Sequence, residues 1–174
     1  MQESLVVTLI GADRSGIVAR LAKLAADSGA SWQESKMARL AGRFAGIVRL
    51  DVPAESLAAL ERSLEQLGTE GLKLTIERGA SQAKRRCIAL ELIGHDRPGI
   101  VRDISGVLAH HHVSIDELDT DIESASMSGE QLFRAQLRLL LPDGLALDEL
   151  QEALEAIADE LMVEITVDTE LDDG

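Results

Sequence analysis

The sequence predicts an α+β protein made of two consecutive copies of one βαββαβ unit, and three observations carry that prediction. The phrase GADRSGIV at 11–18 returns as GHDRPGIV at 94–101. Around each copy, apolar residues switch between helical and two-residue spacing in the same order. Between the copies, the polar stretch GASQAKRR at 79–86 keeps neither period.

Each element can be justified in turn. The opening strands are Leu5–Ile10 and Ile88–Ile93. Ile17, Val18, Leu21, Leu24 and Ala25 map onto Ile100, Val101, Ile104, Val107 and Leu108, a spacing that predicts a helix with one buried face. Phe44, Gly46, Val48, Leu50 and Val52 then map onto Phe133, Ala135, Leu137, Leu139 and Leu141, alternating as a half-buried strand does. The offset between copies has grown by six here, which predicts a longer hairpin around Ser124–Gln131 in the second copy. Leu57, Leu60, Leu64 and Leu67 match Leu147, Leu150, Leu154 and Ile157 as a second helix. Closing strands follow at Leu72, Leu74, Ile76 and at Val163, Ile165, Val167.

This order is the split-βαβ, ferredoxin-like arrangement: an antiparallel four-stranded sheet with two helices on one face. The expected domains are 1–79 and 87–174, with a linker at 80–86. The second strand of each copy should lie at a sheet edge. In the second copy that strand aligns Glu117, Asp119, Asp121 and Glu123 on one side. Such a row could hold a hard cation, but no calcium-loop spacing is present. Charge that discourages edge-to-edge pairing is the preferred reading.

Composition narrows the function. The 174 residues include only Trp32, Phe44 and Phe133 as aromatics, so the core must be aliphatic. No apolar run approaches the length of a membrane span, and no signal-peptide pattern opens the chain, so a cytoplasmic protein is expected. Residues 1–79 carry ten acidic and ten basic side chains, whereas 87–174 carry twenty-one acidic and four basic ones. Direct nucleic-acid binding, which draws on cationic contacts to phosphate, is disfavoured. The acidic half is either a solubilising surface or one that steers a basic protein.

The repeated phrase has a structural and a functional reading. Gly11 and Gly94 are expected to release the chain from its strand through conformations open to glycine. Asp13 and Asp96 are expected to cap the helix start, Pro98 to occupy its first turn, and Gly16 and Gly99 to permit close packing. The same corner exposes backbone N–H groups suited to a small anion such as a carboxylate. It lacks the Lys-Ser or Lys-Thr of a phosphate loop and the dinucleotide Gly spacing, so a free amino acid fits better than a nucleotide. The candidate ligand residues are Gly11, Ala12, Asp13, Arg14, Ser15, Gly16, Ile17 and Ser31, and Gly94, His95, Asp96, Arg97, Pro98, Gly99, Ile100 and Ser114. No catalytic residues, metal ligands or cofactor are predicted.

ADRSGIV and HDRPGIV, each opening a βαββαβ unit, resemble the start of ACT domains. The resemblance covers nearly the whole chain and implies paired ligand-sensing modules, often for amino acids. SWQESKMARLAGRFAGIVRL and LAHHHVSIDEL are similar to the free-standing tandem members of that family that regulate transcription. That likeness implies a non-enzymatic protein that engages a DNA-binding transcriptional activator and reports glycine status to it. Homo-oligomers are compatible with it. Family ligand sites often carry Asn where Ser31 and Ser114 stand here.

The remaining features read as structural. His110, His111 and His112 end a helix, where neighbours diverge too far to chelate one ion. His95 lies in the loop, as a ligand contact or as a solvated side chain. Cys87 opens a strand and is expected to be a buried thiol, and Trp32 is expected in the core or closing a ligand pocket, the core being preferred.

Overall fold

The computed structural model describes residues 1–69, 71–79, 85–124 and 130–169. The chain divides into two units, Met1–Gln82 and Ala83–Gly174. Most of the predicted linker, 80–84, lies outside the described residues.

The first unit runs β1 (Gln2–Ala12), α1 (Ile17–Asp27), β2 (Ser31–Leu40), β3 (Arg43–Pro53), α2 (Leu57–Gly68) and β4 (Leu72–Arg78). The second repeats that order as β5 (Cys87–His95), α3 (Ile100–His110), β6 (Ser114–Ser124), β7 (Gln131–Leu140), α4 (Leu147–Leu161) and β8 (Val163–Asp168). The sheets are ordered β2-β3-β1-β4 and β6-β7-β5-β8, and every pairing is antiparallel. The predicted ferredoxin-like architecture is therefore present twice.

Each core forms between the helices and one sheet face. Leu5, Val7 and Leu9 alternate inward from β1 to meet Leu21 of α1 and Leu60 and Leu64 of α2. Leu90, Leu92, Ile104, Leu108, Leu150 and Leu154 do the same in the second unit. Leucine, isoleucine and valine fill these cores, and Trp32 and Phe44 pack only at the margin of the first. Val18 and Val101, expected on the buried helix face, are instead 43% exposed. They lie one residue beyond Ile17 and Ile100, which take the inward direction at the helix start.

Both β1–α1–β2 passages use the same devices. Helix α1 ends in a Schellman motif: Gly29 N–H donates to Ala26 O at 3.0 Å and Ala30 N–H to Ala25 O at 2.9 Å. In the second unit His112 N–H donates to Ala109 O at 3.0 Å and Val113 N–H to Leu108 O at 2.9 Å. His112 thus takes the left-handed position that Gly29 fills, with φ 57° against 68°. The histidine triplet is a helix terminus, and His111 adds an ion pair to Glu149 at 3.5 Å when it is protonated. The edge strands β2 and β6 carry a bulge at the equivalent place, between Trp32 and Glu34 and between Ile115 and Glu117.

The β2–β3 hairpin closes in two residues, Ala41 (φ 48°) and Gly42 (φ 75°), the left-handed pair such a turn requires. Its counterpart spans Ser124 to Gln131, and 125–129 lie outside the described residues. Cys87 is buried, as expected, and its thiol donates to Arg85 O at 3.6 Å.

Candidate functional site

The repeated phrase forms a strand-to-helix corner in each unit. β1 ends at Ala12, the four residues Asp13 to Gly16 turn, and α1 begins at Ile17. β5 ends at His95, and α3 begins after Gly99. Gly16 and Gly99 both hold the left-handed conformation, at φ 89° and 100°. Each closes the first helical turn, with Arg20 N–H donating to Gly16 O at 3.0 Å and Asp103 N–H to Gly99 O at 2.9 Å.

The glycines exchange the roles expected of them. Gly11 and Gly94 have no positive φ; they lie within strands where another chain segment passes very close. A Cβ on Gly11 would meet Leu72 Cδ2 at 2.6 Å and Gly71 O at 3.0 Å, and one on Gly94 would collide with Val163 Cγ1. A Cβ on Gly16 would meet nothing within 4 Å, so its conformation, not its packing, requires glycine.

The aspartates also differ from expectation. Neither helix start carries a side-chain cap. The backbone of each aspartate ties the corner to the neighbouring hairpin instead, Asp13 N–H to Gly42 O and Asp96 N–H to Gln131 O, both at 3.0 Å. The Asp13 carboxylate accepts from Arg39 Nη1 at 3.1 Å. Pro98 lies two residues ahead of Ile100 and so precedes the helix.

Sheet register decides which predicted residues share a place. Ala12, Asp13, Arg14, Ser15 and Gly16 are exposed together at the first corner, and His95, Asp96 and Pro98 are exposed at the second. Arg97 and Gly99 are half-buried. Ile17 and Ile100 are buried in the cores. Ser31 is placed differently: it lies opposite Asp51 of β3, whereas Ala12 lies opposite Arg43. Eight residues of extended strand separate those positions, about 26 Å. Ser114, opposite Leu140, is as far from His95, opposite Leu132. Within a unit, one small ligand can reach the corner or the serine, not both.

The two corners have different walls. Arg39 reaches the first from β2; Ile122 stands at the matching position, opposite Phe133 as Arg39 is opposite Phe44. At the second, Arg102 approaches Gly99 and bonds Asp103 Oδ1 at 2.7 Å, holding that carboxyl below the usual carboxylate range. His95 Nδ1 lies 3.8 Å from Glu130 Oε2. Beside this corner an apolar cleft of about 10 Å³, lined by Ile100, Val101, Ile104, Leu118, Phe133 and Leu137, opens between α3 and the sheet. The sequence reading missed Arg39 and Arg102. Arg39 was within reach, since a two-residue turn at Ala41-Gly42 sets the register that carries it to the corner. Among the described residues no three His, Cys, Asp or Glu side chains converge as a metal site. None of the described helices is long and apolar enough to cross a membrane.

Two ferredoxin-like units, each presenting a glycine-framed helix start, define a tandem of small regulatory modules. Residues 3–77 and 88–159 each match an ACT domain model, and the chain belongs to the ACT-domain family, whose domains are ligand-binding regulatory modules. It is 25% identical over 165 residues to the glycine cleavage system transcriptional repressor of Escherichia coli (strain K12), covering 92% of this chain and 86% of the relative. An unknown protein from Galdieria sulphuraria has a solved structure with a TM-score of 0.82 and 31% identity, covering 97% of this chain and 98% of the other. A second solved chain, provisionally given the same repressor designation, is 19% identical with a TM-score of 0.70 over 97% of each chain, a likeness of fold.

Proposed function

We propose that the protein senses a small amino acid, with glycine the first candidate, and controls a DNA-binding transcriptional activator by protein–protein contact. The observation that carries this reading is the pair of glycine-framed helix starts without side-chain caps, exposed through Gly16 in the first unit and half-buried at Gly99 in the second. The uncapped N–H groups of Ser15, Gly16 and Ile17 suit a ligand carboxylate, and the Asp13 carboxylate suits its ammonium. Asp96, Gly99 and Ile100 correspond in the second unit, where Pro98 stands in the place of Ser15 and supplies no N–H. The distant likeness to the E. coli repressor supports the regulatory role and the glycine candidate. The acidic second half suits contact with a protein better than with nucleic acid.

Calorimetry of the full chain with glycine and a panel of amino acids tests the sensing step. Saturable heat is expected, with a rise in Tm, because ligand at a hundred times its Kd stabilises the folded state by about 2.7 kcal/mol. Activator affinity measured with and without that ligand must change by the same factor as ligand affinity measured with and without activator. Absence of heat and of any Tm shift at millimolar concentration for every amino acid overturns the sensor reading and leaves a protein-interaction module.

A further inference from the structure

The apolar cleft of about 10 Å³ in the second unit is walled by side chains of that unit alone. Ile115 and Leu118 of β6 and Phe133 of β7 face Ile100, Val101 and Ile104 of α3 across it. Ser105, the single polar side chain in the wall, already donates from Oγ to Arg102 O at 3.1 Å. A water there would lack the two or more partners it needs, so the space suits one apolar group, about the size of a methyl. The cleft borders the second corner: Ile100 and Val101 form the first turn of α3, and Phe133 lies opposite Gly94. The first unit treats the matching place differently. Trp32 lies opposite Leu50 as Ile115 lies opposite Leu139, and Ser35 opposite Val48 as Leu118 opposite Leu137. Trp32 Nε1 donates to Ser35 Oγ at 3.2 Å, so an indole spans the two positions that wall the cleft in the second unit.

We infer that this cleft is a side-chain subsite: it takes the methyl of a small amino acid whose carboxylate is held at Gly99 and Ile100. The inference rests on the sensing reading and adds a ligand preference to it. The second unit prefers alanine to glycine, because burying one methyl favours the larger ligand about fourfold. Valine gains less than alanine, since its extra carbons overfill a space whose close-packed walls yield poorly. In the first unit, where the indole spans the matching place, alanine has no such gain over glycine. The two corners thus read different amino acids, and the side chains at Trp32 and Ile115 decide which.

The test titrates the full chain, labelled at amides and methyls, separately with glycine, each enantiomer of alanine, and valine. One alanine enantiomer is expected to bind the second unit about fourfold tighter than glycine, moving the Ile115 and Leu118 methyls together with the Gly99 and Ile100 amides. The other enantiomer aims its methyl elsewhere and should only match glycine. Ile115→Trp, which gives the second unit the residue of the first, should erase the difference between alanine and glycine. Ile115→Val, smaller by one methylene and mild for the fold, should move the preference from alanine to its ethyl homologue. Glycine that binds the second corner as tightly as both alanine enantiomers overturns the inference and leaves the sensing reading standing. So does an alanine preference that survives Ile115→Trp in a folded protein or stays unchanged in Ile115→Val. Failure of every amino acid to bind either corner overturns both readings.

Discussion

The open faces of the two sheets share a register and little else. On the first, Val6, Thr8 and Ile10 of β1 lie beside Ile47 and Ala45 of β3 and Ala38 of β2. Its charges balance: Arg49 lies 3.6 Å from Glu34 and 3.9 Å from Asp51. On the second, Glu91, Glu117, Asp119, Asp121, Glu123, Glu164 and Asp168 surround only Arg134 and Arg138. Arg134 lies 3.7 Å from both Glu91 and Glu123, and Arg138 lies 3.5 Å from Asp116. Inward positions are held by close packing, where a methylene gained or lost is felt. Outward positions answer only to solvent and partners, so duplicated units can share a core and differ in surface.

The comparison makes its strongest prediction for the cores. Leu60 and Leu150 are both fully buried at matched places in α2 and α4. Replacing either with alanine should cost about 2–5 kcal/mol by the lost burial and the cavity left behind. Chemical unfolding of the two variants should show similar losses, each in the unit that carries the change. A loss in one that is less than half the other would break the claim of equivalent cores.

The close-approach glycines come next. Gly11→Ala and Gly94→Ala should each cost about 1–3 kcal/mol, the usual penalty of overpacking. Gly94→Ala should cost more, because its Cβ would meet the stiff, β-branched Val163 side chain, whereas the side-chain atom met at Gly11 is the flexible end of Leu72; each Cβ also meets backbone. Equal thermal shifts would show that β4 and β8 yield alike.

The helix ends give the smallest effect and an opposite sign. His112→Gly should stabilise the second unit by about 1 kcal/mol, since glycine holds the left-handed position without a Cβ penalty. A Tm that falls would assign His112 a contact that outweighs its conformational strain.

The repeat made the fold legible, because apolar periodicity at matched offsets marked every element, and the topology it implied put β2 and β6 at sheet edges. What stayed hidden depended on φ angles and on contacts distant in sequence. GADRSGIV does not reveal which glycine turns left-handed and which meets a neighbouring strand, since the answer lies with Leu72 and Val163. Nor does it reveal that Asp13 bonds the hairpin through its backbone while its carboxylate meets Arg39. Ser31 belonged with the corner by family likeness, yet the strand direction set by β3 carries it to the far end of the sheet. Val18 satisfied the helical spacing but fell just outside the stripe that the sheet covers.

Amide chemical shifts of the full chain during a glycine titration test the sensor reading most directly. The account predicts saturable shifts at Ser15, Gly16 and Ile17, and at Gly99 and Ile100, with the amides of Ser31 and Ser114 little changed. Saturable binding that moves the two serines and leaves both corners unmoved would contradict it.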